Sequence, residues 1–190
     1  MGLAAKLVDS PNINPIFDDL GGRLGIWVFV AALLSVFSDS PKLAAVRVFA
    51  FFGAMLTVYY VYTTLVLHFF PQKAIVFWGI CAVVSPVCAY LMWYARGNGL
   101  FANIISALPI TILLSEGFEL RNAYLPIHQH YYLIPLLMGI YLIMIVVLLF
   151  TIPKKKMNIL VILPIALILS FIMIYSNVLG RIFGGMNGVL

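Results

Sequence analysis

The sequence predicts an all-α, polytopic transmembrane bundle of about six spanning helices, and three observations carry that expectation. Of its 190 residues 64% are hydrophobic and 9% charged, and the mean hydropathy is +1.12. A water-soluble domain has roughly a quarter of its residues charged, so this chain lacks the polar surface that water requires. The apolar residues also fall into unbroken helix-length runs. Backbone groups inside a bilayer must be satisfied internally, which leaves helices or a closed barrel, and a barrel needs an alternating pattern that these runs lack.

The first 22 residues form a polar segment with three aspartates and no apolar run, so they read neither as a signal peptide nor, with Lys6 at the sixth position, as a myristoylation site. The spanning helices are expected at Leu24–Ser38, Val48–Phe70, Ala74–Ala95, Leu100–Leu120, Tyr132–Ile152 and Met157–Ser176. A spanning helix needs about 20 residues, so the chain is one transmembrane domain without room for a soluble one. Residues 177–190 form a Gly-rich tail. The first run is the shortest and fits either a span or a shallow helix beside five spans. Breaks fall at Ser38–Pro41, Pro71–Lys73, Arg96–Gly99, Asn122–His130 and Pro153 with its three lysines, where turn chemistry predicts them. Pro86 and Pro164 lie inside the third and sixth runs and are expected to kink them. Cys81 and Cys88 sit seven residues apart on one run, a rise of about 10.5 Å on a helix, too far for a disulfide.

Chemistry-bearing residues are few. On the second run Gly53, Thr57, Tyr60, Thr64 and His68 recur at helical spacing and share a face. That face reads either as Thr hydroxyls bonding back to their own helix or as one wall of a ligand cavity. Ala50, Gly53 and Ala54 form a small-residue pattern suited to close helix packing. Glu116 stands near the end of the fourth run, where an ionisable group is costly and faces an interior cavity, a partner or the interface. It is expected to face the bundle interior beside Thr57, Tyr60 and Thr64, with Glu119 less consequential.

Connectivity puts His68, Glu116, Glu119, His128 and His130 on one membrane face. Imidazole with carboxylate suits Zn²⁺, Co²⁺ or Ni²⁺ and equally a hydroxylated or ammonium-bearing ligand. His128 and His130, beside Tyr124, Tyr131 and Tyr132, also read as an interfacial aromatic belt. Ligand-binding candidates are therefore Glu116, His68, Thr64, Tyr60, Thr57, His128 and His130, with His68, His128, His130 and Glu116 as the weaker metal candidates. No HExxH, Gly-x-Ser-x-Gly or phosphate-binding loop occurs, so no catalytic residue and no cofactor is assigned, an intramembrane enzyme using Glu116 with histidine is only a third reading, and the partners expected are the bilayer and another membrane protein or an ATPase module rather than nucleic acid. The segments LPITILLS at Leu108 and LPIALILS at Leu163 nearly repeat at an offset of 55 residues, as parallel repeats in transporters do.

The segment ARGNGLFANIISALPITILLSEG (Ala95–Gly117) resembles small, uncharacterised six-helix bacterial membrane proteins, which implies a bacterial plasma membrane. In size, helix count and small-residue patterns the chain also resembles the substrate-binding S-components of energy-coupling factor transporters. That resemblance implies a vitamin or metal captured near the outer face and an ATPase module as partner. Two features differ from it: both termini are expected outside, and the Ala-x-x-x-Ala pattern falls on the second helix rather than the first. The expected functions are thus a ligand-binding or transport-associated subunit, a partner-binding subunit without ligand, or an intramembrane enzyme.

Orientation follows from basic residues. Lys42, Arg47, Arg96, Lys154, Lys155 and Lys156 lie on one side, and Lys6, Arg23, Lys73, Arg121 and Arg181 on the other. The lysine triplet beside two helix ends marks the cytoplasmic side. A single cysteine introduced at Lys155, in a background without Cys81 and Cys88, is expected to resist an impermeant thiol reagent in intact cells; ready labelling would reverse the topology.

Overall fold

A computed structural model of the chain describes residues 23–65, 68, 72–120 and 133–183. These residues are helical in seven segments: α1 (Leu24–Val36), α2 (Pro41–Leu65), α3 (Gln72–Trp93), α4 (Leu100–Glu119), α5 (Leu133–Thr151), α6 (Ile159–Tyr175) and the short α7 (Val178–Phe183). Short 3₁₀ turns stand at Tyr94–Arg96 and Lys156–Asn158. The expected all-α bundle is the observed class. Four helices, α2 to α5, are long and apolar enough to cross a membrane. The remaining two expected spans are shorter, α1 with 13 residues and α6 with 17, or about 20 and 25 Å of rise.

Helix boundaries obey local rules that hydropathy alone misses. Helix α2 begins at Pro41, two turns before the apolar run. The Ser40 hydroxyl accepts the Leu43 N–H at 3.2 Å and Pro41 takes the first helical position, where its missing N–H is harmless. Pro86 lies inside α3 and cannot donate to the carbonyl four residues back. The Ser85 hydroxyl donates to that carbonyl, on Ala82, at 2.8 Å.

Helix α1 occupies the middle. None of its residues is exposed, and it packs against α2, α3, α4 and α5. Around it are two apolar cores. Trp27 joins Val48, Phe52, Ala82 and Ala89 on the α2–α3 side. Ala32 and Val36 join Ile110, Leu113, Leu137, Tyr141, Ile162 and Ala166 on the α4–α5–α6 side. The outward faces are the reverse of a soluble surface: Val83, Ile143, Phe150, Leu160 and Phe171 are all exposed, which is the arrangement a lipid solvent requires.

The two near-repeated segments pack on each other. The Thr111 hydroxyl, which donates to Ala107 O at 2.9 Å, also lies 3.5 Å from Ala166 O. The Ser115 hydroxyl donates to Thr111 O at 2.9 Å and lies 3.5 Å from Ser170 O. Both cross-helix pairs are separated by 55 residues, and a constant separation at two levels means that α4 and α6 run parallel with equivalent positions facing. Thr111 and Ser115 on α4 meet Ala166 and Ser170 on α6, and these four, with Ala107 one turn earlier on α4, are all buried. Small side chains every four residues let the backbones approach, and in lipid close packing supplies the attraction between helices.

Replacing Ala166, fully buried in this seam, by Leu is therefore expected to destabilise the bundle by about 1–3 kcal/mol through overpacking. Thermal unfolding in detergent should show a clear drop for Ala166→Leu and little change for Leu167→Ala, since Leu167 is exposed one position away.

Candidate functional site

The two ends of α1 are held by charged side chains from other helices. At its N-terminus Arg23 is extended, with φ −97° and ψ 147°, and offers no side-chain cap. The first N–H groups of a helix need acceptors, and here they come from a residue far along the chain. The Leu24 N–H donates to Glu116 Oε1 at 3.1 Å and the Gly25 N–H to Glu116 Oε2 at 2.5 Å. One carboxylate thus bridges two successive backbone donors, at the end of the helix where the macrodipole favours negative charge.

Glycine at position 25 makes the approach possible. A Cβ there would stand 2.6 Å from Glu116 Oε2, 2.7 Å from Tyr141 Cε1 and 2.8 Å from the Tyr141 hydroxyl, too close for any side chain. Tyr141, on α5, is 1% exposed. Its hydroxyl lies beside the Glu116 carboxylate and interacts with it, without the geometry of a full hydrogen bond. Arg23 contributes positive charge to the same carboxylate, and its Nε is buried without a hydrogen-bond partner. Gly117, the next residue on α4, faces Tyr141 as well, with Tyr141 Cβ at 3.3 Å from where its own Cβ would be.

The other end of α1 is a complete accounting of carbonyls. Leu33 O accepts the Phe37 N–H at 3.0 Å and Ser35 O the Ser38 N–H at 3.2 Å, while Leu34 O accepts the Ser38 hydroxyl at 2.6 Å. Val36 O accepts Arg96 Nη1 at 3.4 Å, Phe37 O accepts Arg47 Nη1 at 3.5 Å, and Ser38 O accepts Trp93 Nε1 at 2.8 Å. The Arg96 guanidinium also sits 5.8 Å above the Phe37 ring. Two of the six basic residues on the lysine-loop side thus serve this helix end.

The sequence-derived candidates are not gathered into one cluster. Glu116 faces the bundle, but its neighbours are the start of α1 and Tyr141, not the α2 stripe. Thr57 and Thr64 are exposed, and the Thr57 hydroxyl donates back to Gly53 O at 2.8 Å. Tyr60 turns inward and is buried, its ring edge-on to Tyr59 at 5.1 Å. Because α2 does not pack against α4 in any extensive way, its polar stripe and Glu116 stand on different sides of α1. Ala50 and Ala54 are exposed and Gly53 half-buried. His68 is exposed with φ 51°, while His128 and His130 lie outside the described residues. Among the described residues no three His, Cys, Asp or Glu side chains approach as metal ligands do. Glu119 is half-buried and close enough to Glu116 to feel its charge.

Sequence reasoning reached Glu116 and missed Gly25, Arg23 and Tyr141. Gly25 carried a readable signal, a glycine at the start of an apolar helix. Tyr141 carried none, since an aromatic residue in a spanning run is ordinary.

Removing the carboxylate by Glu116→Ala should leave the two N–H groups without acceptors and cost about 1–3 kcal/mol. Gly25→Ala should cost a similar amount by driving the two apart, whereas Glu119→Ala should stay within about 0.5 kcal/mol; thermal unfolding of the three variants in nanodiscs measures this order. Comparison of the chain with protein-family models, with curated proteins and with solved structures finds no match in any of the three.

Proposed function

We propose that the chain is a multi-pass membrane subunit that binds a small polar ligand at the N-terminal end of α1, around Glu116, Tyr141 and Arg23. The observation that carries this reading is the Tyr141 hydroxyl, buried beside the Glu116 carboxylate without a full hydrogen bond, with Arg23 near enough for its charge to act on the same carboxylate. Buried polar groups are nearly always satisfied, and those that are not mark positions for water, an ion or a ligand.

Helix length supports the same reading. At about 20 Å, α1 is shorter than a hydrocarbon core of about 30 Å. Helix N-termini that point at anionic groups are also how membrane transporters hold substrates. Glu116 lies one turn before the end of α4, so the cluster sits toward the membrane face shared with His68.

A second reading, a partner-binding subunit without ligand, draws on one observation. A Cβ at Gly53 would meet nothing within 4 Å, and Ala50 and Ala54 beside it are exposed, which leaves a shallow strip on α2 open to lipid.

Tyr141→Phe separates the two, because it removes only the hydroxyl. On the ligand reading the variant is as stable as the wild type, within about 0.5 kcal/mol, since an unbonded buried hydroxyl contributes nothing favourable. Small polar compounds that raise the melting temperature of the wild-type protein should then lose that effect. A variant that melts well below the wild type, or one that responds to the same compounds unchanged, would remove the reading.

A further inference from the structure

We infer that the ligand taken at this site is a carboxylate anion that enters together with a proton, replacing the Glu116 side chain that now fills the place. The inference rests on the reading of the α1 N-terminus as a ligand site and names what that site selects.

The receptor is shaped for two oxygens on one carbon. Leu24 N–H and Gly25 N–H each reach a different oxygen of the same carboxylate, and the missing Cβ of Gly25 is what lets that carboxylate and the Tyr141 ring come this close, so an incoming anion takes the space only as Glu116 vacates it. Among the described residues a donor and a positive charge stand beside the Glu116 carboxylate, the Tyr141 hydroxyl, 1% exposed and without a full hydrogen bond, and Arg23, while Glu119 lies one turn further along α4. A site built of donors at a helix N-terminus takes an anion, and the acceptor that fills it now is the Glu116 carboxylate. Glu116 reaches the site as a side chain of a neighbouring helix, so a carboxylate that takes its place must supply the same two acceptors to α1.

Charge then sets the stoichiometry. Two carboxylates cannot both be ionised in one low-dielectric site, so an incoming anion displaces Glu116 only if Glu116 becomes neutral. The balance is one carboxylate bound, two N–H bonds transferred from Glu116 to it, and one proton added to Glu116. The net charge of the site is unchanged. Among the described residues the charged or titratable groups facing Glu116 are Arg23 before α1, Tyr141 on α5 and Glu119 one turn along α4. In the turn after α3 Arg96 stands at the far end of α1, and Tyr175 on α6 is 87% exposed, so neither supplies the proton balance.

The test uses the full chain in nanodiscs, with Trp27 fluorescence and melting temperature as readouts; Trp27 lies in the first turn of α1 and is buried. Benzoate and laurate are the anionic probes, benzamide the neutral and benzylamine the cationic control. Benzoate or laurate should bind about tenfold more tightly for each pH unit lowered while Glu116 is ionised in the free protein, as coupling to one proton requires. Binding of both identifies a soluble carboxylate as accepted, and binding of laurate alone identifies a membrane-derived one; either supports the inference. Glu116→Gln should keep anion binding and lose the pH dependence, and Arg23→Gln should weaken it about tenfold or more. The slope in the wild-type protein decides even where Glu116→Gln fails to fold. Binding of benzylamine that disappears in Glu116→Gln, or equal binding of benzamide and benzoate, would leave the ligand site standing and overturn the carboxylate. No response to any of the four would overturn both.

Discussion

The bundle depends on a short central helix whose two ends are satisfied by charged side chains from elsewhere in the chain. A helix of 13 residues leaves four N–H groups and four carbonyls unpaired, and inside a bilayer water is not there to receive them. Glu116 supplies acceptor oxygens at the N-terminus, and Arg96 and Arg47 supply positive donors at the C-terminus, where the macrodipole favours them. Because these groups come from α2, from the turn after α3 and from α4, satisfying α1 also ties the α2–α3 pair to the α4–α5–α6 group. Trp27 packs in one core and Ala32 and Val36 in the other, so the electrostatic contacts and the apolar packing join the same two halves.

Polar side chains elsewhere in the bundle are handled locally. Ser35, Thr57, Thr63, Ser106, Thr111 and Ser115 each donate to the carbonyl four residues back, which hides a hydroxyl in a helix at little cost. Where such a hydroxyl also reaches a neighbouring backbone, as Ser106 does toward Ala95 O at 3.2 Å and Thr111 and Ser115 do toward α6, it helps set register. The Glu116 cluster differs from these because its carboxylate takes backbone donors from another helix rather than a carbonyl of its own, with the buried Tyr141 hydroxyl beside it. That contrast separates a candidate binding position from the satisfied polar groups of an ordinary membrane interior.

The same physics explains why the α2 stripe misleads. Helical spacing puts Gly53, Thr57, Tyr60 and Thr64 near one side, but periodicity does not say whether that side meets protein or lipid. In water the apolar face would turn inward and the polar face outward. In a bilayer both are tolerated, since Thr57 can bond to Gly53 O and face lipid at no loss. Only Tyr60 of this set turns inward among the buried residues.

What the sequence by itself determined is the class and the placement of helices, because both depend on short-range facts: the lengths of apolar runs, the scarcity of charge, and Pro and Gly at breaks. The near-repeat at Leu108 and Leu163 was also legible, though its meaning was not, since similarity between two runs does not require that they touch. The tertiary structure decided that those runs pack in parallel with equivalent positions facing, and that Glu116 meets the start of α1. Its partners are backbone N–H groups 91 and 92 residues away, and a backbone donor is the same in every residue but proline. No pattern of side chains can announce such a contact; it exists only once α1 and α4 lie antiparallel, and that packing is a property of the whole bundle.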